Sequence, residues 1–115
     1  MAQRDLRRGD VVTVAAGGGF GGKPRPALVV QSDGFTELPT VVVALFTSTL
    51  VEASLIRPRF APDANNGLLL VSDLMADILV TVRRNQVGEV IGSLSVSELA
   101  RAEQALLLLM GFARA

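Results

Sequence analysis

The sequence contains no cysteine, histidine, tryptophan or tyrosine, and its aromatics amount to 4%, five phenylalanines. Without cysteine there is no disulfide, no thiolate nucleophile and no Cys-ligated zinc or iron–sulfur site. Without histidine no imidazole serves as a general base, and the commonest zinc ligand is missing. Net charge is zero, from eleven basic and eleven acidic residues, so the overall basic excess of many nucleic-acid binders is absent. Residues 1–60 hold seven basic and five acidic side chains and the remainder four and six. A local basic patch stays open, and composition neither supports nor excludes an RNA or DNA partner. No apolar run approaches the ~20 residues needed to cross a bilayer; the densest, Thr40–Phe46, is far shorter. Met1–Asp5 carries charges with no apolar stretch behind them, so no signal peptide is expected. Chemistry is left to Arg, Lys, Ser, Thr and the carboxylates.

What is present is apolar. Half of the 115 residues are hydrophobic, which excludes intrinsic disorder and suits one domain over residues 1–115. Most of the chain reads as β. Val11–Val14, after the turn-like Arg8-Gly9-Asp10, is a β-branched run. Residues 15–23 contain five glycines and read as a mobile loop. Ala27–Gln31 reads as a second strand, with Pro24 and Pro26 before it. Thr40–Phe46 is a third, apolar on both faces and so expected to be central.

Leu50–Ile56 leads to Arg57-Pro58, which ends or edges a strand. Pro62–Gly67 is a turn signal, with Asn66-Gly67 ready for positive φ. Leu68–Val71, Ile78–Val82 and Gln86–Ile91 read as further strands. Six or seven short strands at this spacing suggest a small barrel or sandwich. The last segment is helical. Ser95-x-x-Glu98 is a capping box, with Leu94 and Leu99 as its hydrophobic staple. Leu99, Ala102, Leu106, Leu109, Met110 and Ala113 recur at helical spacing, and Gly111 is placed as a stop. Leu107 and Leu108 widen the stripe, which serves either a deeply docked helix or a subunit interface.

Gly17–Lys23 satisfies G-x-x-x-x-G-K, but Pro24-Arg25-Pro26 and a strand follow where a P-loop needs Ser or Thr and a helix. The segment is read as a flap instead. Arg25 sits between two prolines, so its backbone is stiff, and its planar fork of donors suits phosphate. A plain surface arginine at a strand start reads equally from the same residues. Thr47-Ser48-Thr49 sets three hydroxyls at the end of an apolar strand, as a turn or as part of a site. Asp73 and Asp77 have no further ligands at metal spacing and read as solvated charges near a turn.

Arg8-Gly-Asp-Val-Val12, Gly22-Lys-Pro-Arg-Pro-Ala-Leu-Val-Val-Gln-Ser-Asp33, Pro39-Thr-Val41 through Phe46-Thr-Ser48, and Val90–Ser95 running into an apolar helix resemble the MazF/PemK-like toxins over essentially the whole chain. The most specific part is Lys23–Ala27 followed about twenty residues later by Phe46-Thr-Ser48. The resemblance implies a mainly β, SH3-like small barrel with a C-terminal α-helix, usually a homodimer. It implies the toxin of a type II toxin–antitoxin pair, a bacterial cytoplasmic endoribonuclease that cuts single-stranded RNA at short sequences with no metal or other cofactor. Its arginine falls on Arg25 and its threonine on Thr47, the expected catalytic pair, with Phe20, Gly22, Lys23, Ser48 and Asp73 as substrate contacts. Residues 15–23 become the flap over the RNA path. Residues 73–78 depart from the family pattern, since a basic residue common there is absent.

The chemistry suits a chain without histidine. RNA supplies its own nucleophile, the 2′-OH, so the protein need only orient it and stabilise the charge of the phosphorane. The expected product is a 2′,3′-cyclic phosphate. A non-catalytic toxin on the same barrel, such as a gyrase poison, or an inactive RNA- or protein-binding homologue is the alternative, although Gly111–Ala115 does not supply the short aromatic-Gly-apolar ending of the gyrase poisons. The other expected partners are a cognate antitoxin and a second copy of the chain. A barrel this size has limited interior, so Leu107, Leu108 and part of Leu68–Val71 are left for a twofold interface, which brings Lys23 and Arg25 of both copies beside one groove.

Overall fold

A computed structural model describes residues 5–15 and 23–114. The β-branched and apolar runs form strands β1 (Asp10–Val14), β2 (Arg25–Val29) and β3 (Thr40–Thr47). They are followed by a two-residue strand β4 (Arg59–Phe60), the long β5 (Ser72–Arg83), β6 (Val87–Ser93) and, among the described residues, one α-helix, α1 (Val96–Met110). All strand pairs are antiparallel. They make one sheet in the order β4-β5-β3-β2-β1-β6, with β3 inside it as its two-sided apolar pattern requires. The sheet curls into a half-barrel, the mainly β fold with a C-terminal helix that the sequence led us to expect.

Strand alternation sorts the core into two layers. Val12, Val14, Ala27, Val29, Val43, Leu45 and Met75 pack on one face. Val11, Leu28, Ala44, Phe46 and Leu74 pack on the other, with Phe60, Leu68, Leu94 and Ala102. Phe46 and Phe60 meet edge to face, ring centroids 6.2 Å apart, a preferred aromatic geometry. The helix begins as its sequence signals. Ser95 Oγ accepts from the Glu98 amide, and the Glu98 carboxylate accepts from the Ser95 amide. Leu94 and Leu99 join the second layer, and Gly111 ends the helix in the left-handed region at φ 80°. Small side chains, Ala102 and Ala105, form its buried contact. Beyond them Leu107, Leu109 and Met110 are exposed, so the stripe serves docking only along its first half.

Three expectations change. Leu68–Val71 is not a strand: Leu68 is buried, Leu69 to Val71 face outward, and pairing begins at Ser72. Residues 50–58 form no strand of their own, although Leu74 and Ala76 donate to the carbonyls of Pro58 and Ile56. Asp73 and Asp77 lie within β5 rather than at a turn. The β3–β5 register places Asp77 in an irregular stretch, whereas Asp73 is regularly paired with Thr47. Ala44 pairs with Leu79 but Phe46 with Leu74, so β5 bulges outward between those pairs. Each aspartate is also neutralised by an arginine far away in sequence, a compensation that no local pattern reveals.

Candidate active site

Four strands end side by side at one corner of the sheet. Thr47 of β3 pairs with Asp73 of β5, and Asp73 pairs with Arg59 of β4. Continuing the β2–β3 register two residues beyond Ala27–Leu45 sets Arg25 opposite Thr47. Directly opposed residues in a sheet share a face, so the order across the sheet is Arg25, Thr47, Asp73, Arg59. Alternation puts this row on the face of Leu45 and Val43, at the open end of the first core layer.

At the Arg25 end of the row lies a groove of about 680 Å³, which Arg25 lines and Thr47, Asp73 and Arg59 do not. Lys23, Pro24, Arg25 and Pro26 form one wall, Ser48 and Ser72 contribute hydroxyls, and Gly67–Leu70 with Ile91 form an apolar wall. Lys23 and Arg25 are exposed at its rim. Of the residues expected from sequence, Lys23, Arg25 and Ser48 are thus brought together. Thr47 joins them through the row, while Phe20 and Gly22 lie outside the described residues.

The geometry gives Thr47 a direction. Its Oγ1 accepts from the Thr49 amide at 3.1 Å, a local turn. With that lone pair engaged, the hydroxyl proton remains for donation to an acceptor in front of the strand end.

Asp73 differs from its expected role as a substrate contact. It is fully buried (0% exposed). Its Oδ1 accepts from Arg59 Nε at 2.8 Å, and its Oδ2 from Arg59 Nη2 and the Val51 amide, each at 3.2 Å. The Arg59 guanidinium holds the Asp73 carboxyl below the usual carboxylate range, and burial opposes this less strongly. Asp77 is likewise lowered by the fork of Arg57, whose Nε and Nη2 donate at 3.0 and 2.9 Å. Both carboxylates are therefore held ionised by arginines; Asp73 is buried, while Asp77 keeps contact with solvent.

Arg59 and the apolar wall were not found from sequence. Arg57 and Arg59 straddle Pro58 two residues apart, a spacing that on a strand sets both on one face. That is the only local trace of their pairing with Asp77 and Asp73. Leu69 and Leu70 were hidden by their resemblance to a buried strand.

Comparison with known proteins agrees with this architecture along nearly the full chain. A curated relative from Mycolicibacterium smegmatis, named "Probable endoribonuclease MazF", is 41% identical over 108 residues, covering 94% of this chain and 99% of the relative. Among solved structures, an endoribonuclease in complex with its cognate antitoxin from Mycobacterial species superimposes with a TM-score of 0.78 at 20% identity, over 96% of this chain and 99% of that one. The Mycobacterium tuberculosis toxin MazF-mt6 does so with a TM-score of 0.75 at 22% identity, over 89% and 96%. The sequence model described as the PemK-like, MazF-like toxin of type II toxin–antitoxin systems matches residues 7–110, and the chain belongs to that family.

Proposed function

We propose that this chain is the endoribonuclease of a type II toxin–antitoxin pair and cuts single-stranded RNA at the corner where Arg25 and Thr47 face each other. What supports the reading is the β2–β3 register, which continued two residues sets Arg25 opposite Thr47, together with a groove lined by Arg25 that has a cationic rim and an apolar wall. The guanidinium of Arg25 spans the non-bridging oxygens of a phosphate as a planar, permanently charged fork. The Thr47 hydroxyl donates to the same phosphate or to the 2′-OH. In the reaction the 2′-oxygen bonds to phosphorus and loses its proton, while the bond from phosphorus to the 5′-oxygen breaks and that oxygen takes up a proton. The products are a 2′,3′-cyclic phosphate and a free 5′-hydroxyl. Arg25 and Thr47 contribute by alignment and by stabilising charge in the phosphorane. Lys23 and Ser48 hold flanking phosphates, and bases pack against Leu69 and Leu70. With RNA as substrate and an antitoxin as partner, the site of action is the bacterial cytoplasm.

A second copy completes the surface. Leu107, Leu109 and Met110 on α1 are exposed, and soluble monomers rarely leave such patches uncovered. A twofold contact between helices buries them.

The test incubates purified protein with a long RNA in EDTA and maps the cut ends. Cleavage with cyclic phosphate ends is expected; activity that requires added magnesium or manganese contradicts the reading. Arg25→Ala should lower the single-turnover rate by roughly 10²–10³, as loss of an oxyanion donor does, and Arg25→Lys should recover only part of it. Sedimentation at micromolar concentration should give a dimer near twice 12.1 kDa.

A further inference from the structure

We propose that Asp73 and Arg59 are positioning residues of the cleavage site, fixing the arc from Thr47 to Val51 and hence the direction in which the Thr47 hydroxyl donates. The proposal rests on the RNA-cleavage reading above. Both ends of the arc are tied to one residue. Thr47 is the cross-strand partner of Asp73, and Val51 donates its amide to Asp73 Oδ2 at 3.2 Å. Arg59 closes the tie from the other side, its Nη2 donating to the Val51 carbonyl at 3.2 Å while its Nε holds Asp73 Oδ1 at 2.8 Å. The ion pair thus satisfies both backbone groups of Val51. Between the anchors, Ser48, Thr49 and Leu50 are exposed, so packing does little to choose among their conformations. Within the arc the Thr49 amide bonds to Thr47 Oγ1 and sets the hydroxyl.

Stability alone is a poor account of such a pair. Burying the Asp73 carboxylate is costly, and its half-exposed partner Arg59 is screened by solvent, which weakens the return from pairing. What an apolar pair cannot do is accept from the Val51 amide and donate to its carbonyl at once.

The experiment compares Asp73→Asn, Arg59→Met and Arg59→Lys in single-turnover RNA cleavage. Rates are measured at a temperature where circular dichroism shows each variant folded. Binding is measured with an RNA lacking 2′-hydroxyls. Asp73→Asn should slow cleavage on the order of 10- to 100-fold, the scale of an ångström-sized misplacement, with affinity within about twofold of wild type. Arg59 is half exposed, so Arg59→Met keeps the test open if Asp73→Asn does not fold, and Arg59→Lys should recover part of the rate. In a Thr47→Ala background, Asp73→Asn (or Arg59→Met in its place) should cause little further loss, because both act through one hydroxyl. Wild-type rates in folded Asp73→Asn or Arg59→Met, or an undiminished effect in the Thr47→Ala background, overturn the proposal. Wild-type rates in Thr47→Ala overturn the role given to that residue, and absence of cleavage by the wild-type protein overturns the reading beneath both.

Discussion

Two long connections flank β4; one contributes Ser48 to the groove and the other Gly67–Leu70, and each is held by a different physical means. Residues 48–58 are held by charge: Asp73 takes the Val51 amide, and the forks of Arg57 and Arg59 grip Asp77 and Asp73. Residues 61–71 are held by a neutral amide and by close backbone packing. The buried Asn66 accepts from the amides of Asp63 and Leu68, and donates to the Ala61 carbonyl and to Glu98 of the capping box. Charge leaves the first connection sensitive to pH. The second is centred on the neutral Asn66, with the Asp63 carboxylate accepting from the Asn65 and Asn66 amides, so hydrogen bonding and shape set it rather than an ion pair. On the proposed mechanism the charged tie aims one hydroxyl and the neutral one presents a fixed apolar wall.

The largest effect follows from shape. Gly67 has a φ of 73°, and a Cβ there would stand 2.2 Å from the Ile91 carbonyl oxygen; one on Gly92 would stand 2.4 Å from that of Asn65. Both contacts are with backbone, which cannot swing aside. Gly92→Ala should therefore destabilise by ~3 kcal/mol, the upper part of the range for forced overpacking, and lower the thermal midpoint by about 10 °C or more. A midpoint within a degree or two of wild type would show that the second connection is looser than the contacts imply.

Acid separates the two connections. Asp73 and Asp77 are held below their ordinary carboxylate range by Arg59 and Arg57. Groups of that kind contribute fully above the unfolded value, ~3.9, and lose the contribution as pH falls through the depressed folded value. Urea midpoints should thus fall from about pH 4 downward. Asp77→Asn should flatten that fall, with the higher plateau reduced. Asn66→Ala should lower the whole curve by ~2 kcal/mol, the cost of buried amides left unpaired, while keeping its slope. Parallel acid limbs in wild type and Asp77→Asn would remove charge as the basis of the first tie.

The two ties were unequally legible in the sequence. Periodicity and capping rules act over a few residues, and they found β1, β2, β3 and both ends of α1. Asn66-Gly67 carried its turn chemistry in the same way. The partners of Asp73 and Asp77 lie 14 and 20 residues away, beyond the reach of any local pattern, so two paired aspartates within a strand read as a solvated turn. Leu68–Val71 misled for the opposite reason. Its composition matches a buried strand, yet the chain is already committed at Asn66 and Gly67 and turns Leu69 outward. Arg25 and Thr47 stood out as local features, a proline-flanked arginine and a hydroxyl cluster at a strand end, but only the family resemblance singled them out as a pair. Setting them opposite each other takes the β2–β3 register, continued two residues past Ala27 and Leu45.

Leu69 gives the smallest and most selective effect. It is 93% exposed, so its side chain contributes little to the fold. Surface substitutions of this kind usually stay within about 0.5 kcal/mol. Leu69→Ser should therefore leave the thermal midpoint nearly unchanged, in contrast to Gly92→Ala a short distance away in the same packed corner. Its cost should fall on RNA. Loss of the apolar wall beside Arg25 should weaken binding of a single-stranded RNA lacking 2′-hydroxyls several-fold, less than the ~1–3 kcal/mol of an aromatic stacking platform. The rate of the bound complex should stay close to wild type, because Leu69 is not part of the row that faces the phosphate. A fall in the bound rate with affinity intact would move Leu69 from the wall to the reacting centre. Unchanged affinity and rate together would mean that the bases run elsewhere, and the groove would then be defined by its charged side alone.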